Sequence, residues 1–106
     1  MEKFFAYGTL KDKDIQETIF GRTLSGTPDR LIGYVINHIE IEEEFGLEKY
    51  PIIVATNNPD NIVTGVVYDI SEEDVNRADT YEGLHYRRIE VTLESMQTAW
   101  AYIVTT

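Results

Sequence analysis

The chain has 106 residues, 42% of them hydrophobic, which suits one small domain over 1–106 with a single core. It contains no cysteine, which excludes thiol catalysis, disulfides and thiolate metal ligands, and its 9 basic against 19 acidic residues (net charge −10) argue against nucleic acid or an anionic membrane surface as partner. No segment is apolar and long enough to span a bilayer, and no long apolar run follows Lys3, so the expectation is a soluble, cytoplasmic protein.

In chain order, Phe4 to Tyr7 forms a first short strand. Gly8 breaks it, and a helix is expected from about Asp12 to Phe20. Asp12 or Asp14 could cap that helix, with Ile15, Ile19 and Phe20 as its apolar stripe and Gly21 at its end. Arg22 to Thr27 suggests a short strand, and Pro28-Asp29 a turn. Leu31 to Glu42 is rich in β-branched residues and is expected to be one strand, or two with a bend near Gly33. Glu42-Glu43-Glu44 with Gly46 has the composition of a solvated loop.

Tyr50-Pro51 starts another extended segment, because proline steers its predecessor away from helix. Ile52 to Ala55 is a strand, Asn57 to Asn61 a loop, and Ile62 to Ile70 a strand interrupted at Gly65. Ser71 then caps a second helix with Asp74 at the reciprocal position. Val75 and Ala78 face inward, and the end falls near Gly83. Arg88 to Leu93 and Ala99 to Val104 pair around the turn Glu94 to Gln97. Many short strands with two helices predict an α+β domain. Its mixed, largely antiparallel sheet would curl into a small barrel, with Gly33 and Gly65 at the bends.

Two stretches carry chemistry. At Tyr7-Gly8-Thr9-Leu10 a strand breaks at a glycine and feeds a helix, which leaves backbone N–H groups without ladder partners. Such groups can converge on an anion or a developing oxyanion, although an ordinary turn has the same sequence. At Asp79-Thr80-Tyr81-Glu82-Gly83, Glu82 sits at the C-terminal end of a helix, where negative charge is disfavoured, with Asp79 one turn earlier. Those surroundings would raise the Glu82 pKa and make it a better general base near neutrality. A solvated acid among the other acids is the plain alternative.

Taken together these segments resemble the gamma-glutamylcyclotransferase-like family, of the gamma-glutamylamine cyclotransferase type. Tyr-Gly-Thr-Leu follows the first strand. Tyr50-Pro51 and Val63-Thr64-Gly65-Val66-Val67-Tyr68 are similar to the family's middle. Asp79 to Gly83 with Tyr86-Arg87-Arg88 is similar to its catalytic segment, and Ala99-Trp100-Ala101-Tyr102 to its closing strand. The resemblance implies a pocket in which the backbone of Tyr7, Gly8, Thr9 and Leu10 holds a gamma-glutamyl or 5-oxoproline group. It implies Glu82 as the catalytic carboxylate and Tyr86 in the pocket wall. Ala78 stands where the family usually has leucine, a packing change. The chain is also compact for the family, which would leave the leaving-group side open.

That chemistry needs a base and hydrogen-bond donors but no enzyme nucleophile, metal or organic cofactor, since the substrate's own α-amine attacks its γ-carbonyl. The partner implied is a small gamma-glutamyl compound. The alternative is a non-catalytic binding module using the same pocket, to which a buried acid would bring little. His38, Glu40 and Glu42 share one face of a strand, as a metal site or, more simply, a solvated edge. His85 offers a second acid–base group or an exposed loop residue. Tyr68, Tyr81, Tyr86 and Tyr102 could stack on a ligand or pack at the core's edge. Of Arg87 and Arg88, one should face inward as an ion-pair partner.

Overall fold

A computed structural model describes residues 1–43, 46–83 and 86–104, with side chains for all of these except 39, 41–43, 46–50 and 104. The elements are β1 (Glu2–Ala6), a 3₁₀ turn (Thr9–Lys11), α1 (Lys13–Phe20), β2 (Gly26–Ile32), β3 (Tyr34–Glu43) and β4 (Gly46–Ala55). They continue with β5 (Ile62–Ile70), α2 (Glu72–Glu82), β6 (Tyr86–Thr92) and β7 (Thr98–Val104). Five strands form one sheet in the order β2-β5-β1-β7-β6, and β3 and β4 form a separate hairpin. Within the sheet, β1 runs antiparallel to β5 and parallel to β7.

Alternation along β1 explains the layering. Phe4 and Ala6 point to one face, where Phe20, Val75 and Ala78 from the two helices cover them. Phe5 points to the other face and packs with Leu31, Val63 and Val91 beneath Ile53 of the hairpin. The chain is therefore a mixed α+β fold in which helices and hairpin cover the two faces of one sheet.

The sheet is not a closed barrel. β2 and β6 are its two edges and do not pair. The turn between β6 and β7 does reach β2, where Glu94 N–H donates to the Arg30 carbonyl at 2.8 Å and Arg30 pairs with Glu94 at 2.8 Å. A turn-to-strand contact of this kind continues no ladder. The glycines expected at barrel bends act differently. Gly33, at φ +85°, separates β2 from β3. Gly65 lies within an uninterrupted β5, where a Cβ would come 2.5 Å from the Ala6 carbonyl oxygen.

Two local expectations are also corrected. Pro28-Asp29 is not a turn but part of β2, which starts at Gly26 rather than Arg22. Proline is accepted there because β2 is an edge strand, with a second flank that needs no donor. The acidic run Glu42-Glu43 ends β3 rather than forming a loop, and Glu44 lies outside the described residues.

The second helix begins as its sequence predicts. Asp74 N–H donates to Ser71 Oγ at 3.0 Å, and Ser71 N–H to Asp74 Oδ2 at 3.1 Å. Arg22 adds a two-pronged contact to the same buried carboxylate, at 2.7 and 3.2 Å. Its hydrogen bonds hold the Asp74 carboxyl down at about 2, below the usual range. Ala78, 1% exposed, fills the helix–sheet core where a larger leucine would need more room. Among the described residues no helix is long and apolar enough to cross a membrane.

Candidate functional site

The site forms where β1 stops. Beyond Ala6 the chain turns through Tyr7 and Gly8 into the 3₁₀ turn, whose carbonyls are tied forward. Lys11 N–H donates to the Gly8 carbonyl at 3.2 Å and Asp12 N–H to that of Thr9 at 2.9 Å. The amides of Gly8, Thr9 and Leu10 donate to no acceptor among the described residues. Gly8 has φ −124° and ψ −141°, so a positive φ is not its reason for being glycine. Its reason is proximity, since a Cβ there would sit 3.3 Å from Pro51 Cγ of β4.

Tyr7, just beyond β1, and residues of β4, β6 and β7 meet around this turn. The Tyr7 hydroxyl donates to the Tyr102 carbonyl on β7 at 2.6 Å. Tyr86, at the start of β6, donates to the Pro51 carbonyl on β4 at 3.3 Å. Burial first, then the nearby Tyr86 and Glu82, raise the Tyr7 pKa well above its ordinary value. Tyr7 is therefore a neutral hydrogen-bonding group and not a proton carrier at working pH. Tyr7, Glu82 and Tyr86 thus share one neighbourhood.

Glu82 ends α2 and is half-buried. Burial pushes its carboxyl up to about 7. Read from sequence alone, a raised value would come from the helix end and Asp79. In the folded chain burial is the cause, and Asp79 is engaged elsewhere. One Asp79 oxygen accepts from Arg88 Nε and from the Tyr102 hydroxyl, each at 2.7 Å. Arg88 also lies over the Trp100 ring, 4.3 Å from its centre. Arg88 is thus the inward member of the Arg87-Arg88 pair, while Arg87 is exposed.

The remaining expected residues divide by atom. Leu10 is 3% exposed and packs its side chain into the helix–sheet core, so only its backbone faces the turn. Thr9 is exposed, and its hydroxyl lies 3.2 Å from that of Tyr81 on α2. Tyr102 belongs to the core rather than a stacking platform. His38 and Glu40 are exposed on β3, and among the described residues no cluster of His, Asp and Glu could hold a metal. The Glu42 side chain and His85 lie outside what is described. Pro51 packs against Gly8, a role that the sequence does not disclose, although Tyr50-Pro51 stands out as a segment. Its place depends on how the hairpin folds over Gly8, which no local pattern encodes.

Chemically, the neighbourhood joins backbone donors that meet no acceptor among the described residues to a carboxyl group poised to exchange a proton near neutrality. Comparison with known proteins adds the lineage. A family model described as gamma-glutamyl cyclotransferase, AIG2-like, matches residues 4–106. A solved structure from Arabidopsis thaliana is similar at 25% identity and TM-score 0.72, covering 97% of this chain and 61% of its own. A structure titled gamma-glutamyl cyclotransferase is similar at 19% identity and TM-score 0.81, covering 99% of this chain and 67% of its own. An uncharacterized protein from Homo sapiens is similar at 21% identity and TM-score 0.80, with the same coverage. The last two likenesses concern the fold. The chain spans 61% of the Arabidopsis protein's length, so the comparison does not extend to that whole protein. No curated protein matches the chain.

Proposed function

The chain belongs to the gamma-glutamyl cyclotransferase, AIG2-like family, and from that premise we propose that it releases 5-oxoproline from a small gamma-glutamyl compound. The observation that carries the proposal is Glu82, a half-buried carboxyl with its pKa pushed to about 7, in the neighbourhood of Tyr7 at the turn whose amides meet no acceptor among the described residues.

The reaction follows from that pairing. The substrate's α-amine attacks its γ-carbonyl carbon and loses a proton to Glu82. The carbonyl oxygen gains charge as the five-membered ring closes. The bond to the leaving amine then breaks, and Glu82 returns the proton to that amine. The Gly8, Thr9 and Leu10 amides bind either the substrate α-carboxylate or the developing oxyanion, both of which are anionic and suited to backbone N–H donors. Tyr7, fixed on the Tyr102 carbonyl, and Tyr86, fixed on the Pro51 carbonyl, wall the ring-forming part of the substrate. No enzyme nucleophile, metal or organic cofactor enters these steps.

The test is to incubate the protein with a panel of gamma-glutamyl amines and gamma-glutamyl dipeptides and assay 5-oxoproline by mass spectrometry. Release from at least one panel member, with equimolar free amine, is expected. Binding of 5-oxoproline without release from any member would instead identify a non-catalytic binding module.

A further inference from the structure

Only Gln16 and Asp74 are buried polar or charged residues among those described, each 1% exposed. Asp74 is accounted for by the capping box and Arg22. Gln16 is not explained by its own helix. It occupies the most buried position of α1 together with Phe20, one turn later, whereas Ile15 and Ile19 are only partly buried. An apolar residue of similar length would fill that space without the penalty of burying an amide. The Gln16 amide has two partners, both backbone. Nε2 donates to the Leu10 carbonyl at 2.9 Å, and Oε1 accepts from Leu24 N–H at 2.8 Å.

The Leu10 carbonyl belongs to the turn at the candidate site. Because a peptide group is planar, a carbonyl held in one direction fixes the N–H of the next residue in the opposite one. Gln16 holds the Leu10 carbonyl and thereby sets Lys11 N–H. Lys11 N–H in turn donates to the Gly8 carbonyl at 3.2 Å. The Gly8 carbonyl shares its peptide plane with Thr9 N–H, one of the amides without an acceptor among the described residues. We propose that Gln16 is a positioning residue that aims the Thr9 amide at the ligand, through the Leu10–Lys11 and Gly8–Thr9 peptide groups. The proposal rests on the ligand-binding role given to this turn above. The Thr9 hydroxyl contact with Tyr81 is exposed and is no substitute for a buried anchor.

Two variants separate positioning from plain stability. Gln16→Met fills the space and removes both hydrogen bonds. Gln16→Glu retains the acceptor for Leu24, and only its protonated acid can donate to the Leu10 carbonyl. When that acid ionises, two oxygens face one another and the turn is pushed off its anchor. Affinity for 5-oxoproline is measured by calorimetry from pH 5 to 8 on samples shown by circular dichroism to be folded. Mobility of the Thr9 amide is followed in ligand-free protein by ¹⁵N relaxation. For Gln16→Met we expect affinity about tenfold weaker than wild type at every pH, the effect of one lost hydrogen bond, with a more mobile Thr9 amide. Gln16→Glu should match wild type at the acid end and diverge from it by about tenfold as its acid ionises. A helix anchor with no tie to the site would lower thermal stability and leave both readouts unchanged in folded protein, which would overturn the proposal. If Gln16→Glu does not fold at high pH, Gln16→Met decides. If wild type does not bind 5-oxoproline, the ligand assignment fails separately. Thr9 mobility then decides the role of Gln16, an unchanged value overturning it and a raised value supporting it.

Discussion

The Tyr102 hydroxyl donates to Asp79 Oδ1 at 2.7 Å, and this bond ties α2 to the central sheet at the turn before Glu82. Arg88 donates to the same oxygen from β6, so helix, inner strand and edge strand converge on one atom. Two carboxylates a turn apart on one helix therefore have separate duties. Asp79 is satisfied by partners, and Glu82 is the one that burial leaves ready to take up a proton.

Asp79→Asn should retain an oxygen that accepts from Tyr102 and Arg88 while losing its charge. Stability should fall by about 1–2 kcal/mol, the scale of weakened charge-assisted hydrogen bonds. Turnover should fall less than in Glu82→Gln. Thermal unfolding and 5-oxoproline release on the same preparations check both statements. The reverse ranking of activities would make Asp79 the base.

The raised Glu82 pKa predicts a stability trend of definite sign. An unfolded glutamate titrates near 4.3, the native one at about 7. Between these values the native state holds more proton than the unfolded state, so stability falls as pH rises through the window. Glu82→Gln removes that titration. The variant should therefore gain stability relative to wild type between pH 4.5 and 8, on the order of 3–4 kcal/mol at most. Urea unfolding of both proteins across that range is the measurement. Parallel curves would mean that Glu82 is not desolvated.

At the turn, Gly8→Val and Thr9→Val should differ in kind. The valine at 8 places a branched side chain against Pro51, where even a Cβ comes within 3.3 Å of Cγ. It must push the hairpin away or displace the amides, and 5-oxoproline binding should be lost in a folded protein. The valine at 9 removes a hydroxyl whose contact with Tyr81 is exposed, so affinity should change by less than about fivefold, under 1 kcal/mol. Calorimetric titration of the two variants compares them directly. A Gly8→Val protein that binds as wild type would reduce the turn to a simple connection.

Periodicity and end signals made much of this fold legible. Ile62 to Ile70 is a strand with those limits, and Ser71 with Asp74 starts α2 as the capping pattern says. The misses have a common cause in pairing between distant segments. Whether Pro28-Asp29 turns or extends depends on β5 lying alongside, with Pro28 opposite Val66. Whether the sheet closes depends on β2 and β6 meeting, which local bends do not determine. The same division holds at the site. Glu82 and the Tyr7-to-Leu10 stretch stand out through local oddities, an acid at a helix end and a glycine after a strand. Pro51 and Gln16 carry no such mark. A buried glutamine is indistinguishable in sequence from an exposed one until Leu10 and Leu24 are seen to take its amide.

The most direct measurement is turnover of Glu82→Gln on whichever gamma-glutamyl compound the wild-type protein converts, followed as 5-oxoproline release at pH 7.5. Glutamine keeps the size of the side chain and cannot accept the amine's proton. With the fold and 5-oxoproline binding retained, kcat should drop by roughly 10²–10⁴-fold, the contribution of a positioned general base. Turnover within a few-fold of wild type would contradict the assignment of Glu82 as the proton carrier.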